Sequence, residues 1–293
     1  MTIQTLTPTP AHHTYQLLDS GNGQRLEQFG NRRIIRPDTT CLWRPRNTTH
    51  WNSVDLRCVK TQQGGSFAWQ EQRAGAQAWT YTYHHPKLQK LDFALRSSEH
   101  SKNIGIFPEQ AAHWDWLTTK LVGATQAPSI LNLFAYTGGA TLVAAAAGAQ
   151  VCHVDASKST VAWARENAVA NGLADAPIRW IVEDCVTFIE REIKRGKKYD
   201  GIIMDPPAFG RDPRGKPFSF EDSFHQLMAG AQALLAPEGF LLLNVYSVPL
   251  YATHIANVVG DYFPHHTLEA GELHLVAKDG RTVPCNLFVR ATY

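Results

Sequence analysis

Two hydrophobic rhythms divide the chain. From Tyr15 to about Arg96 the apolar positions fall in short alternating or β-rich segments, punctuated by Gly21-Asn22-Gly23, Gly30-Asn31 and Gly64-Gly65 and closing on Trp79-Thr80-Tyr81-Thr82-Tyr83. Period-two alternation broken by turn formers predicts an all-β region. After about Ser98 the rhythm changes to strands alternating with longer helical stretches, which predicts a domain boundary there. The first residues, Met1 to His13 with Thr7-Pro8-Thr9-Pro10 among them, carry no periodicity and predict a loose tail. The expected division is a flexible tail over 1–14, a β-rich accessory domain over 15–97 and an α/β domain over 98–293.

Within the α/β part, Pro108 to about Thr125 predicts a helix, with Pro108 in the first turn and Ala112, Trp116, Leu117 and Val122 largely on one face. Strands are expected at Ser129–Phe134, Val151–Val154, Ile178–Val182, Gly201–Met204 and Phe240–Val245. Helices are expected at Gly139–Gly148, Lys158–Asn171, Thr187–Arg195, Ser223–Leu235 and around Tyr251–Val259. Glu272–Ala277 and Thr282–Ala291 flank Lys278-Asp279-Gly280 as a terminal β-hairpin. This order predicts an α/β fold, a doubly wound Rossmann-like sheet with ligands at the carboxyl ends of its strands.

At 293 residues and 44% apolar the chain has enough core for one large or two smaller domains, which excludes intrinsic disorder. Its longest strictly apolar run, Leu142–Ala147, is six residues against the roughly 20 that cross a bilayer, so a soluble, unexported protein without membrane contact is expected. The five cysteines, Cys41, Cys58, Cys152, Cys185 and Cys285, are scattered, with no C-x-x-C, and point to neither a disulfide framework nor a metal site. A reducing cytoplasm suits them.

The net charge of +2 hides an asymmetry. Residues 1–100 hold 12 basic and 7 acidic side chains (+5), residues 101–293 hold 16 and 19 (−3). Seven arginines (Arg25, Arg32, Arg33, Arg36, Arg44, Arg46, Arg57) interleave with Phe29, Trp43 and Trp51, a mixture suited to phosphate contacts and base stacking and equally to an ordinary solvated β surface.

Candidate chemistry gathers at the strand ends. Asn132-Leu133-Phe134-Ala135-Tyr136-Thr137-Gly138-Gly139 runs from a strand through two glycines into a helix, where backbone can approach a ligand closely and N–H groups lie open to an anion. A plain tight turn is the other reading. Asp155 ends the next strand 17 residues after Gly138, close to the roughly 20-residue spacing at which a carboxylate reaches ribose hydroxyls. Asp184 ends the third, where it could accept an adenine amine or cap the following helix. The fourth ends in Asp205-Pro206-Pro207-Ala208-Phe209, the most specific element: two prolines fix the chain extended and present one carboxylate and one ring to a rigid pocket. Arg211, Arg214 and Lys216 follow in a Gly/Pro-rich segment, as phosphate contacts or as a solvated loop.

At these residues the sequence resembles the class I S-adenosylmethionine-dependent methyltransferases, particularly the large-subunit ribosomal RNA base methyltransferases, over about Phe93–Tyr293. The resemblance implies that Asn132, Phe134, Tyr136, Thr137, Gly138 and Gly139 cradle the methionine part of the cofactor. It implies that Asp155, with Ala156 and Ser157, holds the ribose, that Asp184 and Cys185 meet the adenine, and that Asp205, Pro206 and Pro207 border the reacting methyl group with Phe209 stacking on the acceptor. Lys102-Asn103-Ile104-Gly105-Ile106-Phe107-Pro108-Glu109-Gln110 is similar to a further cofactor-pocket segment of the family, with Gly105, Phe107 and Gln110 retained and the first three positions different. The β region resembles the RNA-contacting domain such enzymes carry, with Arg32, Arg33, Arg44 and Arg46 as candidate contacts alongside Arg211 and Arg214.

Cytosine-C5 members of that branch place a cysteine on the loop after the fifth strand. Here the loop reads Asn244-Val245-Tyr246-Ser247-Val248-Pro249, so transfer to nitrogen or oxygen is at least as well supported as transfer to carbon. Cys185 and Cys285 are expected to be buried structural thiols. Three other readings stay open: a methyltransferase for a small molecule or protein, a nicotinamide-dependent dehydrogenase, which the missing G-x-G-x-x-G disfavours, and a non-catalytic RNA-binding protein.

Overall fold

The computed structural model describes residues 3–61, 66–73, 75, 78–99, 101–211, 215 and 217–293. Along the chain run β1 (Ile3–Leu6), β2 (Tyr15–Gly21), β3 (Gln24–Phe29), β4 (Arg32–Pro37), β5 (Leu56–Lys60), β6 (Phe67–Glu71), β7 (Ala78–Tyr83) and β8 (Leu91–Arg96). Then follow α1 (Ala111–Leu121), β9 (Ser129–Leu133), α2 (Gly139–Ala146), β10 (Gln150–Asp155), α3 (Lys158–Ala170), β11 (Ile178–Val182), α4 (Cys185–Lys194) and β12 (Tyr199–Met204). The chain closes with β13 (Phe209–Arg211), β14 (Pro217–Ser219), α5 (Phe220–Leu234), β15 (Leu235–Val245), α6 (Ala252–Tyr262), β16 (Thr267–Val276) and β17 (Thr282–Thr292). No helix among the described residues is long and apolar enough to cross a membrane.

Two compact units emerge, one of Met1–Leu6, His113–Leu273 and Cys285–Tyr293, the other of Thr7–Ala112 and His274–Pro284. The division therefore falls at Ala112 rather than at Ser98, and the tip of the terminal hairpin joins the second unit. The tip does so because Ala277 bridges Leu17 and the Lys278 amide donates to the Leu17 carbonyl at 3.2 Å.

The first unit is built on an eight-stranded sheet in the order β1-β16-β17-β15-β12-β9-β10-β11. Its inner pairs β11/β10, β10/β9, β9/β12 and β12/β15 are parallel, and β17 runs antiparallel to β15. Because β9 lies between β10 and β12, successive crossovers leave it in opposite directions, and a crevice opens at the carboxyl ends of β9 and β12. One face buries Leu131, Leu133, Val154, Ile202, Met204, Leu241 and Leu243 against Phe188, Phe224, Leu227 and Ile255 of α4, α5 and α6. The other face carries Ile130, Gly201 and Phe240, with the Phe240 ring edge-on to Trp116 of α1 at 5.2 Å.

The expected loose tail is wrong for Ile3–Leu6, which pairs in parallel with β16, Ile3 opposite Ala270 and Gln4 opposite Gly271. The pairing is a backbone contact that apolar periodicity does not register, and it needs a bare residue on the partner: a Cβ at position 271 would stand 1.8 Å from the Gln4 carbonyl oxygen. The helix expected from Pro108 is a 3-10 turn over Pro108–Gln110 followed by α1. In the Gly/Pro-rich segment after Phe209, β13 and β14 form a small antiparallel ribbon that the sequence did not reveal.

The second unit contains the five-stranded sheet β2-β3-β4-β5-β6 and the pair β7-β8. Glu27, fully buried, accepts from Arg36 Nε at 2.6 Å and Nη2 at 2.8 Å and from the Tyr15 hydroxyl at 3.1 Å. Burial opposes its ionisation, but Arg36 outweighs that and holds the carboxyl below its ordinary range. Tyr15, Phe29, Tyr81 and Phe93 pack in sequence with ring centroids 4.8 to 6.5 Å apart.

The bare position in β12 gives a stability prediction. A Cβ on Gly201 would meet Phe240 Cζ at 2.3 Å and Ile130 Cδ1 at 2.8 Å. Gly201→Ala is expected to cost about 1–3 kcal/mol by overpacking, read as a lower urea midpoint at unchanged slope; an unchanged midpoint would show that the ring moves aside freely.

Candidate active site

The turn leaving β9 is strained and tied at several points. Phe134 (φ 56°), Tyr136 (φ 50°) and Gly138 (φ 89°) occupy the left-handed region, which costs a side-chain-bearing residue about 1–3 kcal/mol unless its surroundings fix it. They do fix it. The Phe134 amide donates to Cys185 Sγ at 3.3 Å, the Ala135 amide to the Val154 carbonyl at 3.0 Å and the Tyr136 amide to Asp155 Oδ2 at 2.9 Å. Asn167 Nδ2 holds the Thr137 carbonyl at 3.0 Å. Gly138 abuts Leu142 and Ala164, and a Cβ on Gly139 would stand 2.5 Å from the Trp114 ring.

Asp155 is the centre of this arrangement. Oδ2 takes the Tyr136 amide and Oδ1 the Ser157 amide, both at 2.9 Å. A carboxylate oxygen has two lone-pair positions, so each keeps one acceptor site for a hydroxyl. Burial raises the carboxyl pKa, with the Ser157 and Tyr136 amides partly offsetting it. Ser157 caps α3, accepting from the Thr160 amide. Asp184 caps α4: Oδ1 accepts from the Thr187 amide at 2.8 Å and hydroxyl at 2.9 Å. The capping reading is thus realised, and Oδ2 remains to accept an amine.

Two expected cofactor residues turn out to have interior partners. Asn132 is buried, its Nδ2 donating to Thr141 Oγ1 at 2.9 Å, and Thr141 lies 2.9 Å from His153 Nδ1. Burial lowers the pKa of this imidazole to about 3, so the ring is neutral. Cys185 sits beneath the β9 turn, its thiol pushed well up by burial. It supports Phe134 from inside. Cys285, expected to be buried, is only half-buried.

At the end of β12, Asp205 is half-buried, its amide reaching the Leu133 carbonyl at 3.4 Å, while Pro206 is buried and Pro207 exposed. Phe209 is 79% exposed, presenting its ring to solvent. The β13–β14 ribbon carries Phe218 back to Phe134, ring centroids 5.4 Å apart. Nothing in the periodicity singled out Phe218 or Trp114; the ribbon and the α1 packing place them. Arg214 and Lys216 lie outside the described residues, as does the Arg211 side chain. Gly105, Phe107 and Gln110 belong to the second unit.

In that second unit the arginines divide. Arg25 pairs with Asp38, Arg36 with Glu27, Arg32 with Asp55 at 3.7 Å and Arg46 with Asp279 at 3.1 Å. Arg44 is exposed and Arg33 half-exposed. Much of the basic stretch is therefore neutralised within the fold.

The β9/β12 switch point, a fixed backbone turn beside it and acids closing successive strands form the kind of arrangement at which open α/β sheets bind ligands. The S-adenosylmethionine-dependent methyltransferase family model matches residues 87–278, and the chain belongs to that family. It is 32% identical over 227 residues to the ribosomal RNA large subunit methyltransferase K/L of Vibrio cholerae, covering 74% of this chain and 30% of that protein. It is 37% identical over 136 residues to the Shewanella frigidimarina protein of the same name, covering 44% and 18%. The chain thus spans under a third of the length of these curated relatives. A SAM-dependent methyltransferase structure from Agrobacterium tumefaciens superimposes with TM-score 0.91 at 35% identity, over 100% of this chain and 94% of that one. A methyltransferase structure with bound SAH, SMU.776, shares the fold with TM-score 0.74 at 17% identity, over 95% and 75%. The donor set suits S-adenosylmethionine: a carboxylate with an open acceptor position on each oxygen could take the two ribose hydroxyls, and a second carboxylate could take the adenine amine.

Asp155→Ala is expected to raise the Kd for S-adenosylhomocysteine by about tenfold or more, measured by calorimetry. Because folding raises this carboxyl's pKa above 3.8, protonation on acidification begins at a higher pH than for an ordinary aspartate. Cofactor affinity should fall over that range, while the burial cost that Asp155 imposes on folding is relieved. The Asn variant should lack this pH-dependence; the same acid loss in both would locate it elsewhere.

Proposed function

We propose that this chain methylates a base of large-subunit ribosomal RNA. One observation carries the reading: the Asp205-Pro206-Pro207-Ala208-Phe209 segment leaves β12 beside the strained β9 turn, so a carboxylate and an exposed ring share the crevice edge with the cofactor cradle. The names of the Vibrio and Shewanella relatives support an RNA acceptor. Such an acceptor sets the work in the cytoplasm, where ribosomes are made.

In this reading Phe134, Tyr136, Thr137, Gly138 and Gly139 hold the methionine part by backbone. Asp155 with Ala156 and Ser157 holds the ribose, and Asp184 at the start of α4 the adenine amine. The cofactor supplies an already activated methyl group, so the protein has chiefly to align the acceptor and exclude water. Asp205 accepts an N–H of the acceptor, orienting its lone pair or taking the proton as the new bond forms. Pro206 and Pro207 hold that carboxylate on a stiff backbone, and Phe209 offers a flat face to an unstacked base.

This reading favours a nitrogen acceptor. Transfer to C5 of a pyrimidine needs a thiolate to attack C6, yet four of the five cysteines are buried and Cys285 is half-buried. Burial pushes Cys41, Cys58 and Cys152 up to about 11 and Cys185 higher still. Ser247, on the loop after β15, is an exposed hydroxyl. Exposed Arg44 and half-exposed Arg33 are the phosphate contacts favoured in the second unit.

Tritiated methyl transfer onto large-subunit RNA from a deletion strain, absent with wild-type RNA, tests the reading. Asp205→Ala should lower the rate by at least about 100-fold with cofactor Kd within about twofold; equal rates would refute the assignment. RNA affinity should fall steeply with salt, and Arg44→Ala should reduce the log–log slope by about one. Salt-independent binding would point to a small or protein acceptor.

A further inference from the structure

On the α1-facing side of the sheet, one chain of polar side chains links three elements at the site end. Arg290 Nη2 lies 2.8 Å from His113 Nδ1, His113 Nε2 lies 2.9 Å from Asn244 Oδ1, and Asn286 Nδ2 donates to the same oxygen at 3.0 Å. All four residues are buried, His113 completely. An arginine only donates, so Nδ1 accepts and the imidazole proton sits on Nε2, donating to Asn244. The tautomer and the amide orientation are thereby fixed together. Burial and the adjoining guanidinium hold the His113 pKa well below its ordinary value, so the imidazole is neutral.

Arg290 is itself fastened. Its guanidinium lies over the Trp116 ring at 4.8 Å and the Phe288 ring at 5.3 Å, with Glu269 at 3.4 Å from Nη1. α1 thus supplies the histidine, β15 the asparagine, and β17 both the arginine and the second amide.

The position of Asn244 gives the network its use. Leu243 is paired with Met204, so Asn244 and Asp205 are the next residues on neighbouring parallel strands. After Val245 the chain enters the Tyr246–Leu250 loop, in which Ser247 is left-handed at φ 55° and Val248 and Leu250 pack on the core. A loop that begins one residue from a clamped side chain and carries a strained residue has its path set by that clamp.

We propose that His113, backed by Arg290, is a positioning residue for methyl transfer: through Asn244 it holds the end of β15 and the Tyr246–Leu250 loop beside Asp205. The proposal rests on the reading of the Asp205 segment as the transfer site, but it has a readout that needs no substrate. His113→Leu removes both hydrogen bonds at similar bulk, and His113→Gln restores one acceptor and one donor.

Amide hydrogen exchange of the Tyr246–Tyr251 segment and single-turnover transfer to unmodified large-subunit RNA are measured on both variants. His113→Leu should speed exchange in that segment and slow transfer, each by about tenfold, with cofactor Kd within about twofold and β10–β11 exchange unchanged. His113→Gln should recover most of both. Wild-type exchange in a folded His113→Leu protein overturns the proposal, as does faster exchange with an undiminished transfer rate. If wild type transfers no methyl group to RNA, the RNA reading fails and exchange alone decides whether His113 holds the loop. If His113→Leu does not fold, Asn286→Ala, which removes one donor to Asn244, is carried through the same two measurements.

Discussion

A backbone forced through two left-handed side-chain-bearing residues and a left-handed glycine within five positions relaxes unless each peptide group is gripped, and at the end of β9 the grip centres on Asp155. Its carboxylate spans from its own strand to the neighbouring turn, taking the Tyr136 amide on one oxygen and the Ser157 amide on the other. The side chain proposed to hold the ribose thus also shapes the turn proposed to cradle the rest of the cofactor. Cys185 and Asn167 complete the hold from beneath and beside it. Two charge-assisted hydrogen bonds partly offset the burial of this carboxylate and fix the turn.

The sheet divides its labour between faces. The side against α4, α5 and α6 is apolar and buries a large hydrophobic cluster. The opposite side holds two buried polar networks, Asn132–Thr141–His153 and Asn286–Asn244–His113–Arg290, each joining two strands through a side chain of a helix. Polar groups in such places cost more than apolar ones unless fully matched, but when matched they select one register where an apolar surface would tolerate sliding. Both networks start from strands whose carboxyl ends carry the site.

The second unit shows how charge counted along a chain can mislead. The excess of basic residues over 1–100 is real, yet Arg25, Arg32, Arg36 and Arg46 meet Asp38, Asp55, Glu27 and Asp279. Asp279 comes from the far end of the sequence, on the hairpin tip, so its neutralising role could not be read from the N-terminal third alone. Arg33, Arg44 and Arg57 keep exposed or half-exposed side chains with no carboxylate partner among the described residues.

The sequence alone determined the βαβ alternation, the position of each strand end and the residues standing there, because strand and helix periodicity and the chemistry of Gly138, Asp155, Asp184 and Asp205 are local properties. Nearly every helix and strand of the α/β part lies within a few residues of its expected place. Tertiary structure alone decided which of the polar side chains at the strand ends have their partners in the interior. Asn132 and Cys185 share strand ends or turns with site residues but have partners inside the protein, since the two-residue pleat and the helix packed above it set direction. The pairing of Ile3–Leu6 with β16, the β13–β14 ribbon that brings Phe218 to Phe134, and the meeting of His113, Asn244 and Arg290 join residues from distant parts of the chain. Such contacts come into being only when the sheet closes, and no local pattern encodes them.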